Sequence, residues 1–246
     1  MAVIHETTLK PTKLELLTAW LPDQPWYTGS GQAPELARAG GFRLDDPQGA
    51  VGIEFVVVTD RSGELPRAYL VPFTYRGAPL DGAEAGLVGT MEHGVLGRRW
   101  VYDGTHDPVL VAQLLAFVQG RVEAQAQNSS DARDDSVVRW LSEGAGIGSA
   151  AMVGAPRPVH GPQGTDVTVE TVVGAAAKGA APDGSVGAGP VVGLHVRRVL
   201  EPLVEGDAPG GAAVPGGCLG SVTAVWRAVD GTEQRGVFVT VSAGLR

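Results

Sequence analysis

The stretch RRWVYDGTHDPVLVAQLLAFVQGR, Arg98 to Arg121, decides the fold because it joins a strand to a helix through a short polar loop. Residues 100–102 have the pattern of a half-buried strand end. Asp107 occupies an N-cap position and Pro108 the first helical position, which predicts that a helix begins there. Gly120 predicts where that helix ends. Apolar residues recur at helical spacing between these limits, at Leu110, Val111, Leu114, Leu115 and Val118.

The loop between strand and helix concentrates polar side chains. Tyr102, Asp103 and His106 could meet a ligand or a partner protein, so they are candidate site residues. The pattern favours a structural interpretation, in which Asp107 and Pro108 cap the helix and the His106 imidazole holds the loop by hydrogen bonds.

Composition limits the class of protein. Hydrophobic residues make up 43% of the 246-residue chain, which predicts a folded core, while 36 Gly and 17 Pro predict many turns. The net charge of -8 disfavours binding to nucleic acid or to an anionic membrane surface. The first 13 residues contain Glu6 and no long apolar run, so no signal peptide is predicted, and no stretch approaches the about 20 apolar residues of a membrane span. We therefore expect a cytoplasmic protein. Heavy use of Ala, Gly, Val and Arg is compatible with a GC-rich bacterial genome.

The remaining patterns predict two domains. Residues 1–122 predict an α+β domain, a curved antiparallel sheet with two helices, in which Thr12 to Glu15 forms a capping box and residues 51–59 and 68–75 form a hairpin. Pro72 predicts that the second strand of this hairpin lies at an edge or carries a bulge. Residues 123–158 are polar and Gly-rich, which predicts a flexible linker. Residues 159–246 predict a second, β-rich domain.

The first domain resembles the N-terminal cap domain of actinobacterial maltokinases and related aminoglucoside kinases. The resemblance covers most of residues 1–120, and its most specific part is the Tyr-Asp-x-x-His-Asp-Pro loop. It is carried by LELLTAWLPDQPWYTGSG (Leu14 to Gly31), RAYLVPFTYRG (Arg67 to Gly77), GLVGT (Gly86 to Thr90) and YDGTHDPVLVAQLL (Tyr102 to Leu115). The resemblance implies a cystatin-like curved sheet that sits on a kinase N-lobe.

The second domain is similar, more weakly, to the kinase N-lobe of that family. PVHGPQGTDVTVE (Pro158 to Glu170) resembles the strand and turn that lie over the ATP phosphates, and GLHVRRVLEPL (Gly193 to Leu203) resembles the strand that presents the ATP-binding lysine. His195 then occupies the lysine position, where a neutral imidazole cannot serve as a permanent cation.

The resemblance also implies a C-lobe with a catalytic aspartate after a His-Gly-Asp motif, and none follows Arg246. His160-Gly161 continues into Pro162 instead. We therefore expect a stand-alone, pseudokinase-like protein that is not an enzyme and uses no cofactor. The five histidines show no ligand spacing, so no metal site is predicted.

Aromatic and basic residues complete the candidate ligand or partner surface. Trp26 and Tyr27 could stack on a sugar ring, although capping the nearby core is the simpler interpretation. Arg98 beside Trp100 could form an interaction surface, or its charge could protect an edge strand from aggregation.

Three functions remain open from the sequence. The first is a non-catalytic accessory or regulatory protein that contacts a sugar kinase or another enzyme of α-glucan, maltose or trehalose metabolism. The second is a carbohydrate-binding module that holds an oligosaccharide on exposed aromatic rings. The third is half of a split sugar kinase completed by another chain.

Overall fold

The computed structural model describes residues 9–29, 31–127, 132–173, 187–203 and 217–244. Within these ranges the chain forms one large antiparallel sheet and two short α-helices, so the predicted α+β class is confirmed. The helices are α1 (Lys13–Trp20) and α2 (Pro108–Val118). The strands are β1 (Leu9–Lys10), β2 (Leu36–Asp45), β3 (Gly52–Asp60), β4 (Arg67–Arg76), β5 (Leu87–His93), β6 (Gly97–Asp103), β7 (Gln125–Ala126), β8 (Val138–Leu141), β9 (Ala151–Gly161), β10 (Gly164–Val173), β11 (Gly187–Ala188), β12 (Val192–Val196), β13 (Val199–Leu200), β14 (Gly220–Arg227) and β15 (Glu233–Ala243).

Both helices begin where the sequence predicts. At α1, Thr12 Oγ1 accepts from the Glu15 amide at 3.2 Å and the Glu15 carboxylate accepts from the Thr12 amide at 2.6 Å, which confirms the capping box. At α2, the Asp107 carboxylate accepts from the amide of Val109 at 2.9 Å. Gly120, just after α2, has a φ of 76°, the left-handed conformation that ends helices and that glycine adopts without strain.

The sheet runs continuously through both halves of the chain. Its strand order is β1-β5-β6-β4-β3-β2-β14-β15-β12-β10-β11. In addition, β7 pairs with β2, β8 with β14, β9 with β10 and β13 with β4. The two halves meet where Gly40 of β2 pairs with Trp226 of β14. Gly40 has a φ of 152°, and a Cβ there would lie 3.3 Å from the Trp226 Cα, so a glycine permits this close approach.

Two hydrophobic clusters lie on opposite faces of the sheet. The larger cluster packs α2 against strands from both halves, and the smaller packs α1 against β3, β4, β5 and β6. Strand β3 serves both, since Phe55 and Val57 face the first cluster while Val56 and Val58 face the second. This explains why residues 55–58 of β3 are an unbroken apolar run instead of alternating with polar residues.

The flexible linker predicted over residues 123–158 does not appear in the described part of that segment. Strands β7 and β8 and most of β9 lie there, and Ile147 and Ala150 are fully buried in the larger cluster. Gln119 Nε2 donates to the Ala150 carbonyl at 2.8 Å, which ties the segment to the end of α2. The Gly-rich composition predicts flexibility. The tertiary partners that order this segment are distant in sequence, so its composition does not show them.

Pro72 lies in an interior strand, so the edge prediction is wrong. Strand β4 pairs with β3 along its length, and Pro72 stands opposite Phe55. On its other side β4 pairs with β13 at Ala68 and Tyr69, and with β6 from Phe73 onward. Pro72 falls in the gap between these two partners, where a missing amide hydrogen costs no ladder bond.

Two further predictions are only partly visible. Residues 2–9 also predict a strand, and the Gly-, Ala- and Pro-rich segments 174–189 and 205–217 predict surface loops; these ranges lie mostly outside the described residues. Neither α1 nor α2, the α-helices of the described ranges, is long and apolar enough to cross a lipid bilayer.

Candidate functional site

A buried ion pair joins the two halves of the chain. Asp103 is the last residue of β6, and Arg198 lies between β12 and β13. A guanidinium nitrogen of Arg198 lies 2.5 Å from Asp103 Oδ2, and neither side chain has exposed surface. The Arg198 carbonyl accepts from the Leu70 amide at 2.9 Å, so β4 fixes the backbone that carries the guanidinium.

Threonine hydroxyls and an indole ring surround this ion pair. Arg198 Nε donates to Thr165 Oγ1 at 2.8 Å. Asp103 Oδ1 accepts from the amide and the hydroxyl of Thr105 at 3.1 and 2.8 Å. The guanidinium carbon stands 5.0 Å from the ring centroid of Trp26, a cation–π distance. The ion pair is therefore packed and hydrogen-bonded from three parts of the chain.

Two histidines extend the cluster toward the surface. His106 Nε2 and His160 Nε2 lie 2.9 Å apart, and the rings are 5.2 Å apart at their centroids. His160 Nδ1 lies 2.9 Å from the Thr165 hydroxyl, which also accepts from Arg198. His106 lies in the connection between β6 and α2, and His160 lies on β9. Their contact is therefore a second link between the halves. We call Asp103, Thr105, His106, His160, Thr165 and Arg198 the junction cluster.

Burial and charge act in opposite directions on the acid of this cluster. Burial alone would raise the pKa of the Asp103 carboxyl, but the Arg198 guanidinium and the Thr105 hydrogen bonds outweigh it and lower the pKa. Burial lowers the pKa of Arg198, against the attraction of Asp103. Burial also lowers the pKa of His106 and of His160, because a charged imidazole is disfavoured there. The cluster thus favours a charged Asp103 beside neutral histidines.

The structure brings together some of the predicted site residues and separates others. Asp103 and His106 belong to the junction cluster, and the His106 ring contacts His160 of the second half by a hydrogen bond. Asp107 caps α2 and also accepts two hydrogen bonds from Arg76, at 2.6 and 2.7 Å. Tyr102 is 2% exposed, and its hydroxyl accepts from the Leu80 amide at 2.9 Å. These residues hold the fold at the point where α2 begins.

The aromatic platform for a sugar is not formed as predicted. Trp26 is fully buried in the smaller cluster, beneath Arg198 and 5.8 Å from the ring of Trp20. Tyr27 and Trp100 are only half-buried, and the Tyr27 hydroxyl donates to Asp60 at 2.7 Å. Burial, followed by the hydrogen bond to Asp60, raises the pKa of Tyr27 to about 12. Trp26 is therefore a core residue, in agreement with the simpler interpretation.

Arg98 is the exposed member of the predicted set. It lies on β6 and forms an ion pair with Glu92 of β5 at 3.2 Å, with both side chains more than half exposed. Trp100, two residues further along β6, shares its face because side chains alternate along a strand. Arg98 and Trp100 remain a candidate partner surface.

The sequence did not single out Arg198, which is the centre of the junction cluster. Alternate residues of this segment are all buried, namely Val192, Leu194, Val196, Arg198 and Leu200. A two-residue period that continues from β12 to β13 therefore places Arg198 on the buried side of this segment, and an arginine there requires a buried partner. That period is visible in the sequence, whereas the identity of the partner, Asp103, is not.

Metal ligands do not converge in the described part of the chain. No group of three His, Cys, Asp or Glu side chains able to hold a metal ion occurs in it. His195 lies on β12 and its Nδ1 is 2.8 Å from Asp166 Oδ1. His5 falls outside the described residues, and Cys218 is half-buried with a free thiol.

Comparison with known proteins assigns the first part of the chain. A search of curated proteins found no match. Residues 20–107 match the family model of the maltokinase N-terminal cap domain. The matched part contains β2 to β6, Trp26, Asp103 and His106, whereas Arg198 and His160 lie outside it. The chain therefore contains a domain similar to the maltokinase N-terminal cap.

Proposed function

We propose that this chain is a non-catalytic accessory or regulatory protein of α-glucan, maltose or trehalose metabolism. The cap-like domain supports a link to maltokinase-like function. The junction cluster ties that domain to the second half of the chain, so the two halves act as one body. The partner is a sugar kinase or an α-glucan enzyme, bound through protein contact.

The observation that carries the proposal is the pairing of His195 with Asp166. The sequence resemblance places His195 where a kinase of this family has its ATP-binding lysine. The imidazole lies 2.8 Å from the Asp166 carboxylate, so this carboxylate competes with any phosphate for it. A kinase needs a permanent cation at this point to hold the α- and β-phosphates. His195 is poorly suited to that role.

Calorimetric titration with MgATP tests the non-catalytic part of the proposal. We expect no saturable binding to the wild-type protein and no phosphate transfer from ATP to maltose. The variant H195A should behave in the same way. Saturable ATP binding that H195A removes would contradict the proposal.

The partner surface that we propose is the outer face of the β5–β6 hairpin. Arg98 is 62% exposed, and the hairpin tip carries the exposed apolar residues Val95 and Leu96. Apolar side chains beside an unburied cation are typical of a protein contact site.

A pull-down from the native host tests this surface. We expect the double variant R98E/W100A to lose a partner that the wild-type protein retains. The matched control is R157E, because Arg157 is also 62% exposed and also pairs with a glutamate, Glu170, on the neighbouring strand. Equal capture by the wild-type protein and by both variants would contradict the assignment of the surface.

A second candidate function is half of a sugar kinase completed by another chain. The order of the strands in the second half favours it, because the β9–β10 hairpin is followed by β12 with His195 and then by the β14–β15 hairpin, all in one antiparallel sheet. This is the succession that the N-lobe resemblance implies. A captured partner that restores ATP-dependent phosphorylation of maltose would favour this candidate over the first.

A further inference from the structure

The contact between His106 and His160 depends on protonation in a way that the neighbouring contacts do not. With both rings neutral, one Nε2 donates a hydrogen and the other accepts it across the 2.9 Å separation. When one ring is protonated, its Nε2 donates and the Nε2 of the neutral ring can still accept. With both rings protonated, two N–H groups would face each other, and the hydrogen bond is lost.

The surroundings of the histidine pair oppose the second proton. Arg198 is bonded to Thr165, which in turn contacts His160, so a cation lies on the inner side of the pair. Asp103 is the nearest acid, but its charge is already matched by Arg198.

The other charged groups around the pair are matched or directed elsewhere. Arg76 of β4 and Asp107 before α2 pair with each other. Glu84 accepts from the Gly82 amide, and Arg157 of β9 pairs with Glu170 of β10. His195 and Asp166 belong to the opposite face of β10, since they lie in register with each other and next to Thr165, which faces His160. Of these acids only Glu84 lacks a cation partner among the described residues, and its carboxylate accepts from the Gly82 amide.

The pair holds the end of an edge strand. Strand β9 pairs with β10 alone among the described strands, and its other edge is open. Beyond that ladder, β9 packs against α2 and against the short 3-10 helix Gly104–His106 that carries His106. Loss of the histidine contact would remove a side-chain hydrogen bond between the C-terminal end of β9 and the cap-like domain.

We propose that His106 and His160 form a pH-sensitive latch that holds β9 on the cap-like domain at neutral pH and releases it as the pH falls toward about 5. The pKa of each ring is lowered, first of all by burial, in agreement with a closed latch whose histidines are neutral. A histidine whose pKa is lowered in the closed form stabilises that form fully when the pH is above the ordinary pKa of histidine. This stabilisation is lost as the pH falls below that ordinary pKa. Release exposes the inner face of β9 and the loop before α2, so the latch would make the contact between the halves dependent on acidity.

Hydrogen exchange of the β9 amides tests the latch in the full chain. Protection factors, corrected for the intrinsic effect of pH on exchange, are measured at pH 7.5 and pH 5.0. We expect wild-type β9 to lose about tenfold in protection, the order of effect of losing one hydrogen bond, while β3 in the centre of the sheet loses much less. In H106Q, whose amide keeps hydrogen-bonding atoms but does not titrate, the loss in β9 should be at most about twofold.

Two further measurements make the outcome decisive. The control H195Q removes a histidine from the opposite face of the same sheet and should keep the wild-type loss in β9. If H106Q does not fold, NMR titration of the wild-type rings decides, and we expect His106 and His160 to titrate as a coupled pair below their ordinary range. Equal loss of protection in wild type and H106Q, or two rings that titrate independently near about 6.5, would overturn the latch.

Discussion

Arg198 and Asp103 form an ion pair 2.5 Å long across 95 residues of sequence, and neither side chain touches solvent. The pair joins the segment before β13 to the end of β6, so it couples the cap-like domain to the second half of the chain. A buried charge of this kind is tolerated because its partner is present. Each residue is therefore more important to stability than an exposed arginine or aspartate would be.

The variant R198M should destabilise the protein strongly, because it leaves Asp103 buried without its counter-ion. We expect the free energy of unfolding in urea to fall by about 3–5 kcal/mol. The double variant D103L/R198M removes both charges and should be less destabilised than the sum of the single variants D103L and R198M. A loss of under about 1 kcal/mol for R198M would show that the ion pair does not hold the halves together.

Local patterns in the sequence predicted much of the fold. The caps at Thr12 and Asp107 were predicted because a cap and its helix are neighbours in sequence. The pair Asp230-Gly231, which is typical of a hairpin turn, likewise lies between β14 and β15. The segment 123–158, for which a linker was predicted, contains strands in its described part, and Ile147 and Ala150 accept hydrogen bonds from Gln119 just after α2, which no local pattern shows.

The candidate site shows the same limit. His106 was singled out from its loop, but its partner His160 lies 54 residues away. Trp26 was considered for sugar stacking beside Gly29 and Gly31, whereas it packs under Arg198, a residue of the second half. Residue types and strand periods indicate that a side chain needs a partner. The tertiary fold determines which partner it finds.

The burial of Trp26 predicts a structural effect without an effect on ligand binding. W26A should lower the free energy of unfolding by about 3–5 kcal/mol, because it removes a fully buried ring and the contact with Arg198. W26F should lose less, since a phenyl ring retains much of the packing. W100A, at the half-buried ring on β6, is the matched control and should be milder than W26A. A stable W26A protein would place this ring outside the core.

Asp107 has two separable roles that a conservative substitution can distinguish. D107A removes both the cap on the Val109 amide and the ion pair with Arg76, so we expect a larger loss than the about 0.5–2 kcal/mol of an ordinary N-cap. D107N keeps an oxygen for the Val109 amide but lacks the charge that Arg76 requires, and it should lose less than D107A. T12A, at the exposed cap of α1, should stay within the ordinary range. Thermal or urea unfolding of the three variants measures the order, and equal losses for D107A and T12A would show that Arg76 contributes nothing.

Glu54 on β3 should govern part of the acid unfolding of the protein. Its buried carboxylate accepts from Lys13, from the Tyr75 hydroxyl at 2.7 Å and from Gln127 at 3.1 Å. Burial would raise the pKa of Glu54, but Lys13 and the hydrogen bonds lower it below the ordinary 4.5. The unfolded chain thus takes up this proton first, so the stabilisation is complete above 4.5 and is lost as the pH falls below it.

The variant E54Q isolates this contribution. It should be less stable than wild type at pH 7, because Lys13 loses its counter-ion, yet its urea midpoint should fall less steeply between about pH 5 and 3. K13M removes the cation that lowers the pKa of the Glu54 carboxyl, so it should be less stable than wild type at pH 7 and should lose less further stability between about pH 5 and 3. Parallel curves of urea midpoint against pH for wild type and E54Q would exclude Glu54 as a source of the acid sensitivity. The remaining slope in E54Q belongs to other carboxylates with a lowered pKa, and the buried ones among them are Asp60 and Asp103.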